Sequence, residues 1–400
     1  MNKSKNQFSL ELQILIEAIK LTLLNTPPEK FKELVNLPTV DWDKIRKLQE
    51  YHRIRPLFYE ACRLVGFENN IVARYKKFSR SQVLNNIASG IELVRLLTCF
   101  SENDIQCIPY KGILFIDKLY GNRMLRESGD IDILVKPEEA FRALKLLLED
   151  GYVFCSTFYE ITETHDELLE ELIDRTQLQE LSLRKELASG IAMNIDFHWA
   201  VGETFHQYNL EVDELFEESG IETFQRKQLL IPNTKTIFKM LLNHHGGRGC
   251  WLTLKHFTDL IAFRNQYPED YFNNGDAWAK EAKMGKVFEM GDAIIETVFL
   301  ESEKYAGYEP KIQKEIFNYW EDVKSYDLFS SKLSHRNIYR KLQDEPLSWL
   351  GMAHQFLKYY SIPNKIERER LLVFPDRFVY LNAFAKFISY LWYRVRLKSK

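Results

Sequence analysis

The segment RESGDIDILVKPEE, residues 126–139, constrains the fold of this chain more than any other. Its run IDILV is typical of a buried β-strand, and two aspartates stand at the start of that run, one residue apart. Because strand side chains alternate between the two faces of a sheet, Asp130 and Asp132 are expected to point the same way. Like charges side by side repel each other, so this pair needs a compensating charge that a sheet does not supply.

The hydrophobic pattern differs on the two sides of this strand. Up to residue 103 apolar residues recur at helical spacing, as in LELQILIEAIKLTLL and IASGIELVRLLTCF. Short strand-like runs follow in DIQCIPYKG, GDIDILV and VFCSTFYEI, and Ser189-Gly190 lies between two further runs that indicate a hairpin. We therefore predict an α+β fold: a small mixed sheet in an α/β core (104–232), flanked by a helical N-terminal region (1–103) and a helical C-terminal region (233–400).

The overall composition indicates a globular chain with no dominant charge. The 400 residues are 45% hydrophobic and 28% charged, and the formal net charge is −3. A length of this order favours about two or three domains. The near-neutral charge argues against binding of a long nucleic acid, because such binding usually needs many basic contacts.

Cysteine usage and the termini bear on location. The five cysteines are far apart and form no CxxC pair, as expected for reduced cytosolic thiols. No apolar run approaches ~18 residues, so we predict a cytoplasmic protein without a membrane span. The basic, aromatic tail KFISYLWYRVRLKSK is interpreted as a final helix packed on the body, with a membrane-surface helix as the alternative.

The paired aspartates are predicted to hold a metal. Carboxylates at alternate positions of a strand end can share one or two divalent cations, and oxygen ligands suit Mg²⁺. Two such metals clamp the attacking and leaving oxygens of an in-line displacement at phosphorus, a chemistry that usually needs a third carboxylate on a neighbouring strand. Asp196, in MNIDFHW, supplies a candidate. We predict Asp130, Asp132 and Asp196 as catalytic residues and ligands of Mg²⁺.

Phosphate binding is predicted around the segment Tyr110-Lys111-Gly112. This segment ends the first strand and opens a helix, so Gly112 allows close approach of a phosphate and the helix N-terminus attracts the anion. Lys111 adds a point charge, and Arg123 and Arg126 precede the aspartates, where arginine can pair with phosphate oxygens. The alternatives are an ordinary left-handed turn at Lys111-Gly112 and surface salt bridges at the two arginines.

Three histidines, His198, His244 and His245, lie in segments that each allow two interpretations. His198 follows Asp196 on the same strand face and could touch a nucleotide or orient a carboxylate, or could be a satisfied, partly buried histidine. His244 and His245, in LLNHHGGRGCW, are adjacent and do not share a helix face, so they make poor joint metal ligands. We interpret that segment as a helix end with a glycine cap, with the wall of a substrate cleft as the alternative.

Several common sites are excluded by motif. The chain has no HExxH and no clustered cysteines, which disfavours zinc. It has no GxxxxGK[ST], no GxGxxG and no GxSxG, which removes the P-loop, Rossmann and hydrolase-elbow interpretations. The acids of VDWD, Asp41 and Asp43, form a similar triplet but lead into a helical pattern, so Asp41 is predicted to be a helix N-cap.

The order of these elements resembles a known family. KG, Tyr120, the arginines, DIDILV, a helix ending in GY and a later D-h-H-W together resemble the uncharacterised nucleotidyltransferase family of the DNA polymerase β-like superfamily. The resemblance runs from about residue 50 to the C-terminus and is strongest at 107–152 and 192–200. The superfamily's usual signature hG[GS] reads YKG here, which is similar to this family's own version.

The resemblance implies a site and a class of substrate. It identifies Asp130 and Asp132 as the metal-binding pair and Asp196 as the third carboxylate, and it implies Mg²⁺ and a nucleoside triphosphate. It supplies no acceptor: a small molecule, a protein side chain and an RNA end all remain open. The acidic segment 163–180 could cover the site or bind a partner.

Two other functions remain as alternatives. The missing serine of the usual signature motivates a non-catalytic nucleotide-binding or assembly module on the same scaffold. A glycosyltransferase that uses D-x-D to hold a sugar nucleotide is disfavoured, because such enzymes usually place an α/β region before that motif and residues 1–103 are helical in pattern.

Overall fold

Helices before and after a five-stranded mixed sheet make up the computed structural model of this chain. It describes residues 8–155, 166, 169, 179–187, 190–201, 207–208, 210–305, 311–321, 337–361 and 374–388. The predicted α+β class, with a small mixed sheet between helical regions, is confirmed.

Five helices precede the sheet, and local capping defines several of their ends. The side chains of Ser9, Asp41 and Asn69 each accept a backbone N–H at the start of a helix, which confirms the predicted N-cap at Asp41. The helices are α1 (Leu10–Leu23), α2 (Glu29–Val35), α3 (Trp42–His52), α4 (Arg55–Leu64) and α5 (Asn70–Glu102).

The main sheet has the strand order β1-β2-β5-β4-β3, and only β2 and β5 run parallel. Its strands are β1 (Cys107–Pro109), β2 (Ile131–Val135), β3 (Val153–Phe154), β4 (Glu180–Glu186) and β5 (Ala192–His198). Helix α6 (Ile113–Leu119) follows β1, and α7 (Ala140–Glu149) follows β2. Every residue of β2 is buried, as expected for a central strand with both faces covered.

The predicted hairpin is β4–β5. Leu187 and Ile191 close it through a backbone hydrogen bond, and Gly190 has φ of +77° in the turn. The end of the acidic segment 163–180 belongs to the sheet, because Glu180 pairs with His198. The rest of that segment lies outside the described residues, apart from Asp166, Leu169 and Gln179.

A second, two-stranded sheet escaped the sequence analysis. Helix α8 (Val212–Glu217) leads into the hairpin of β6 (Ser219–Phe224) and β7 (Lys227–Pro232). Its two-residue turn places Gln225 at φ +48° and Arg226 at φ +72°, the left-handed pair of a type I′ turn. Because Gln-Arg carries none of the usual Asn-Gly or Asp-Gly signal, the sequence did not reveal the hairpin.

Helices form most of the described chain after this hairpin. They are α9 (Thr234–Leu241), which continues as a π-helix (Leu242–Arg248), α10 (Leu254–Gln266), α11 (Pro268–Asn273), α12 (Gly275–Glu281), α13 (Gly285–Ile294), which continues as a π-helix (Ile295–Phe299), α14 (Lys311–Glu321) and α15 (Trp349–Ser361). Residues 380–388 are also helical, and the remainder of the predicted final helix lies outside the described residues.

The interpretation of LLNHHGGRGCW as a helix end with a glycine cap is confirmed, since the helix ends at Arg248 and Gly249 is its C-cap residue. Through His244 and His245 the helix has π-helical form, which often marks functional sites. Gly246 and Gly247 serve close packing, since a Cβ atom would lie 2.3 Å from Val287 at the first and 2.7 Å from Tyr208 at the second.

One buried apolar cluster extends from Leu12 in α1 through the sheet to Leu342. The residues from all three predicted regions share this cluster, and the boundaries at 103/104 and 232/233 stay predictions. Within the described ranges, one helix, α5, is long and apolar enough to cross a membrane by length and composition alone. A core helix passes the same test, and Gln82 and Asn86 of α5 are buried against the loop before β2.

Candidate active site

Two carboxylates meet where the parallel strands β2 and β5 lie side by side. Asp132 is opposite Asp196 in the register, and Leu134 is opposite His198. One ligand atom each from Asp132, Asp196 and His198 lies within 4.8 Å of the others, a spacing that a metal ion could bridge. Asp130 stands just before β2, is partly buried, and is not a member of that group, although its charge acts on Asp196.

Asp132 is the most enclosed of the three acids, with 5% of its surface exposed. Lys111 Nζ lies 2.9 Å and His198 Nε2 lies 3.4 Å from its Oδ1 atom. Burial acts to raise the pKa of Asp132, but the charge of Lys111 and the contact with His198 outweigh it and hold that pKa well below its usual range. This carboxylate is therefore charged and largely compensated from within the protein.

His198 stands between two carboxylates. Its Nδ1 atom is 3.1 Å from Glu180 Oε2 on β4, and its Nε2 atom faces Asp132. Burial acts to lower the pKa of His198, and the contacts with Asp132 and Glu180 raise it overall. In turn the contact with His198 lowers the pKa of Glu180 to about 2. With both ring nitrogens engaged, His198 positions Asp132, and it is less suited than the carboxylates to ligate a metal.

Asp196 differs from Asp132 in lacking a cationic partner among the described residues. Ser182 Oγ donates to its Oδ1 atom at 2.8 Å. Burial, followed by the charges of Asp132 and Asp130, raises the pKa of Asp196 to about 6. The cluster thus carries an excess of negative charge at this position.

Gly112 has the geometry predicted for a close approach. Its φ is +46°, which favours glycine, and a Cβ atom there would lie 2.9 Å from Asp132 Oδ2 and 3.1 Å from the carbonyl of Asp130. Only a residue without a side chain leaves Asp132 Oδ2 accessible beside the strand end. Helix α6, which begins directly after Gly112, is short, with seven residues.

The cations predicted to bind phosphate have protein partners in this structure. Lys111 pairs with Asp132, and Arg123 pairs with Asp117 at 3.2 Å in a partly exposed contact. Arg126 is buried and makes two 2.8 Å contacts with Asp259 of α10, while its Nη1 donates to the carbonyl of Gly112. Arg126 therefore positions the Gly112 turn, and its phosphate contact stays a prediction.

The Arg126 contact belongs to a closed polar network in the protein interior. Tyr120 donates to Asp259 Oδ1 at 2.6 Å, and His245 Nε2 lies 2.7 Å from Asp259 Oδ2. Sequence reasoning missed Asp259. The available signal was an acid in the apolar helix LKHFTDLIAF, a placement that requires a buried partner.

The loop from Arg123 to Asp130 is held from several sides. Asn86 of α5 donates to the carbonyls of Arg123 and Arg126, and Gln82 donates to that of Ser128. Arg55 makes a bidentate contact with buried Glu127, at 3.0 and 2.6 Å. These contacts rigidly place the strand end that carries the aspartates.

The donor set fits a hard divalent cation. Asp130, Asp132 and Asp196 offer carboxylate oxygens, the ligands that Mg²⁺ prefers. Both contacts of Asp132 fall on Oδ1, so Oδ2 remains available beside Gly112. Burial and then the charges of Asp132 and Asp130 raise the pKa of Asp196, and a cation bound here would lower it.

A small mixed sheet bearing acids on two adjacent parallel strands, next to a glycine turn, defines a nucleotidyltransferase-type site. A model of the uncharacterised nucleotidyltransferase family matches residues 38–299, more than half of the chain. The chain belongs to that family, which confirms the resemblance seen in its sequence. No curated protein and no solved structure matches the chain.

Proposed function

We propose that this protein is a Mg²⁺-dependent enzyme that moves a nucleoside monophosphate from a nucleoside triphosphate to an acceptor hydroxyl, with release of pyrophosphate. The observation that carries the proposal is the facing pair Asp132 and Asp196, where burial and then the charges of Asp132 and Asp130 raise the pKa of Asp196 to about 6. Membership of a nucleotidyltransferase family supports the same reaction class.

The proposed roles follow from the contacts. Asp130, Asp132 and Asp196 would hold Mg²⁺, with Asp132 oriented by His198 and Asp196 by Ser182. Bound Mg²⁺ would neutralise phosphate charge and lower the pKa of the attacking hydroxyl. The acceptor oxygen forms a bond to the α-phosphorus, the bond from that phosphorus to the bridging oxygen breaks, and pyrophosphate leaves with the electron pair.

Lys111 has a second proposed role. Its ammonium group lies 2.9 Å from Asp132 and compensates that buried carboxylate without a ligand. A cation at the carboxylates would remove the need for this pairing, and Lys111 would then be free to turn towards a phosphate beside Gly112. This exchange keeps the charge balanced both with and without substrate.

Calorimetric titration of ATP, GTP, CTP and UTP, with and without Mg²⁺, tests the donor site. Wild type should bind one or more of them only with Mg²⁺, and the Asp130→Ala/Asp132→Ala and Asp196→Asn variants should lose that binding. Asp276→Asn, which removes an exposed acid paired with Lys280 outside the site, is the matched control and should bind normally. Absence of Mg²⁺-dependent binding, or binding indifferent to the site variants, would contradict the proposal.

A non-catalytic nucleotide-binding module is the second candidate. It is favoured by the Lys111–Asp132 pair, which neutralises one of the three acids without any ligand. Pyrophosphate release distinguishes the two candidates, since a binding module takes up the nucleotide but releases none with any acceptor. A cytoplasmic location, and an acceptor other than a long nucleic acid, stay predictions.

A further inference from the structure

The C-terminus of α3 and the N-terminus of α10 are fixed to each other beside the aspartate loop. His52, the last residue of α3, is buried; its Nδ1 accepts the N–H of Leu254 at 3.1 Å, and its Nε2 lies 3.1 Å from the carbonyl of Trp320. Burial lowers the pKa of His52 to about 3, so the ring is neutral and can make both contacts. The residues that follow on each chain segment, Arg53 and Lys255, are thereby brought near one another.

Both cations are close to the start of β2. A Cβ atom on Gly129 would lie 3.6 Å from Arg53 Nη2, and the charge of Asp130 acts on Lys255. Arg53 is exposed and has φ of +54°, a left-handed conformation in which glycine is favoured over a residue with a side chain. Keeping arginine there has a conformational cost that a function of its side chain would explain.

Neither cation forms an ion pair within the described part of the chain. No described carboxylate lies within the 4.0 Å ion-pair distance of Arg53 or Lys255. Asp259 is one helical turn after Lys255, but its two oxygens are taken by Arg126, Tyr120 and His245. Burial, then the charges of Arg126 and Arg53, lower the pKa of Lys255 to about 7, and the charges of Asp259 and Asp130 oppose that shift.

The three cations predicted from the sequence to bind phosphate differ from Arg53 and Lys255 in having carboxylate partners. Lys111, Arg123 and Arg126 each face a carboxylate, whereas Arg53 and Lys255 lie near the Gly129-Asp130 segment and form no ion pair with a described residue. We infer that Arg53 and Lys255 bind the β- and γ-phosphates of the donor triphosphate. This inference rests on the proposed function and assigns the polyphosphate part of its site to the junction of α3 and α10.

The test compares ligands that differ in phosphate content. Full-length wild type, Lys255→Met, Arg53→Gln, the double variant and the control Lys283→Met are titrated, with Mg²⁺, with the preferred triphosphate, its monophosphate and inorganic tripolyphosphate. Lys283 is exposed and pairs with Glu345 far along the chain. The dissociation constant for the triphosphate should rise about tenfold or more in each single variant and further in the double variant, with the monophosphate unaffected.

The outcomes separate this inference from the proposed function. Triphosphate binding equal to that of the control in both single variants would overturn the inference and leave the function intact. If wild type binds no nucleotide but binds tripolyphosphate in a Lys255-dependent way, the anion site stands and the proposed function fails. Binding of neither ligand overturns both.

The variants are expected to fold. Neither side chain has an ion-pair partner to lose among the described residues, and the lowered pKa of Lys255 shows that its charge disfavours the folded state. The thermal midpoint of Lys255→Met should therefore match or exceed that of wild type, which distinguishes lost binding from lost structure.

Discussion

Two clusters of charged side chains lie beside the Gly112 turn, and they differ in whether their carboxylates have partners. In the network around Asp259, both carboxylate oxygens are filled by Arg126, Tyr120 and His245. In the candidate active site, Asp196 has one hydroxyl donor and two neighbouring acids. Arg126 joins the clusters, because it also donates to the carbonyl of Gly112.

This difference distinguishes charged groups that stabilise the fold from charged groups that can bind a ligand. A closed network stabilises the fold, since each buried group has its partners and the removal of one leaves the others exposed to a desolvation penalty. An open cluster lowers stability until a ligand supplies the missing charge, which is how perturbed pKa values come to mark functional sites. Removal of the unpaired charge of Asp196 and removal of a paired charge such as that of Asp259 should therefore change stability in opposite directions.

The largest effect is expected from Asp259→Asn. This change leaves the buried guanidinium of Arg126 without its charged partner, so the free energy of unfolding should fall by about 3–5 kcal/mol. Asp117→Asn breaks the partly exposed pair with Arg123 and should change it by less than about 1 kcal/mol. Denaturant unfolding of both variants measures this contrast, and equal losses would show that the network is not closed.

Gly112→Ala should come next, because it affects both clusters through the turn they share. A side chain at φ +46° is strained by about 1–2 kcal/mol, and its Cβ would press on Asp132 Oδ2 at 2.9 Å. We expect a total loss of roughly 2–4 kcal/mol together with loss of nucleotide binding. Gly66 has φ of +66° with nothing within 4 Å of a Cβ, so Gly66→Ala isolates the strain and should lose only about 1 kcal/mol.

The strands that carry the acids of the open cluster could be predicted from the sequence, for a physical reason. The run IDILV and the two runs around Ser189-Gly190 are local patterns, and they place Asp132 on β2 and Asp196 on β5 without knowledge of the tertiary fold. The parallel pairing that places Asp132 opposite Asp196 depends on the tertiary fold, and so does the contact of Glu180, on β4, with His198.

The cationic half could not be predicted in the same way. Whether an arginine faces phosphate or carboxylate depends on residues far along the chain, and Asp259 lies 133 positions after Arg126. Arg53 and Lys255 are brought together by the contact of His52 with Leu254, which spans 202 positions. Neither pairing leaves a periodic or motif signal in the sequence.

A gain in stability is expected from Asp196→Asn in the absence of metal. Asparagine keeps the hydrogen bond with Ser182 and removes the uncompensated charge, so the free energy of unfolding at pH 8 should rise by about 1–2 kcal/mol. The pKa of Asp196 is about 6 in the folded state against 3.8 ordinarily, so the folded protein takes up this proton first as pH falls. The advantage of the variant should therefore shrink below pH 6 and disappear near pH 4.

Asp132→Asn is expected to lower the free energy of unfolding, because it leaves the buried ammonium of Lys111 unpaired. Urea titrations of both variants at several pH values test the distinction within one site. A loss of stability in Asp196→Asn at pH 8 would mean that the charge of Asp196 is already compensated, and the comparison between open and closed clusters would fail.

The smallest expected effect on the free energy of unfolding is that of Mg²⁺ added without a nucleotide. Mg²⁺ binds the folded state at the open cluster, so for a dissociation constant of about 1 mM a concentration of about 10 mM should add roughly 1.4 kcal/mol to the free energy of unfolding. Asp196→Asn should lose most of this increment, whereas Asp259→Asn should keep it despite its lower starting stability, because Asp259 offers no free oxygen to a cation. Thermal unfolding with Mg²⁺, and with matched ionic strength from NaCl, measures the increment. If the increment survives in Asp196→Asn, the cation binds elsewhere, and the negative charge at the strand ends must be met by Lys111 and His198 alone.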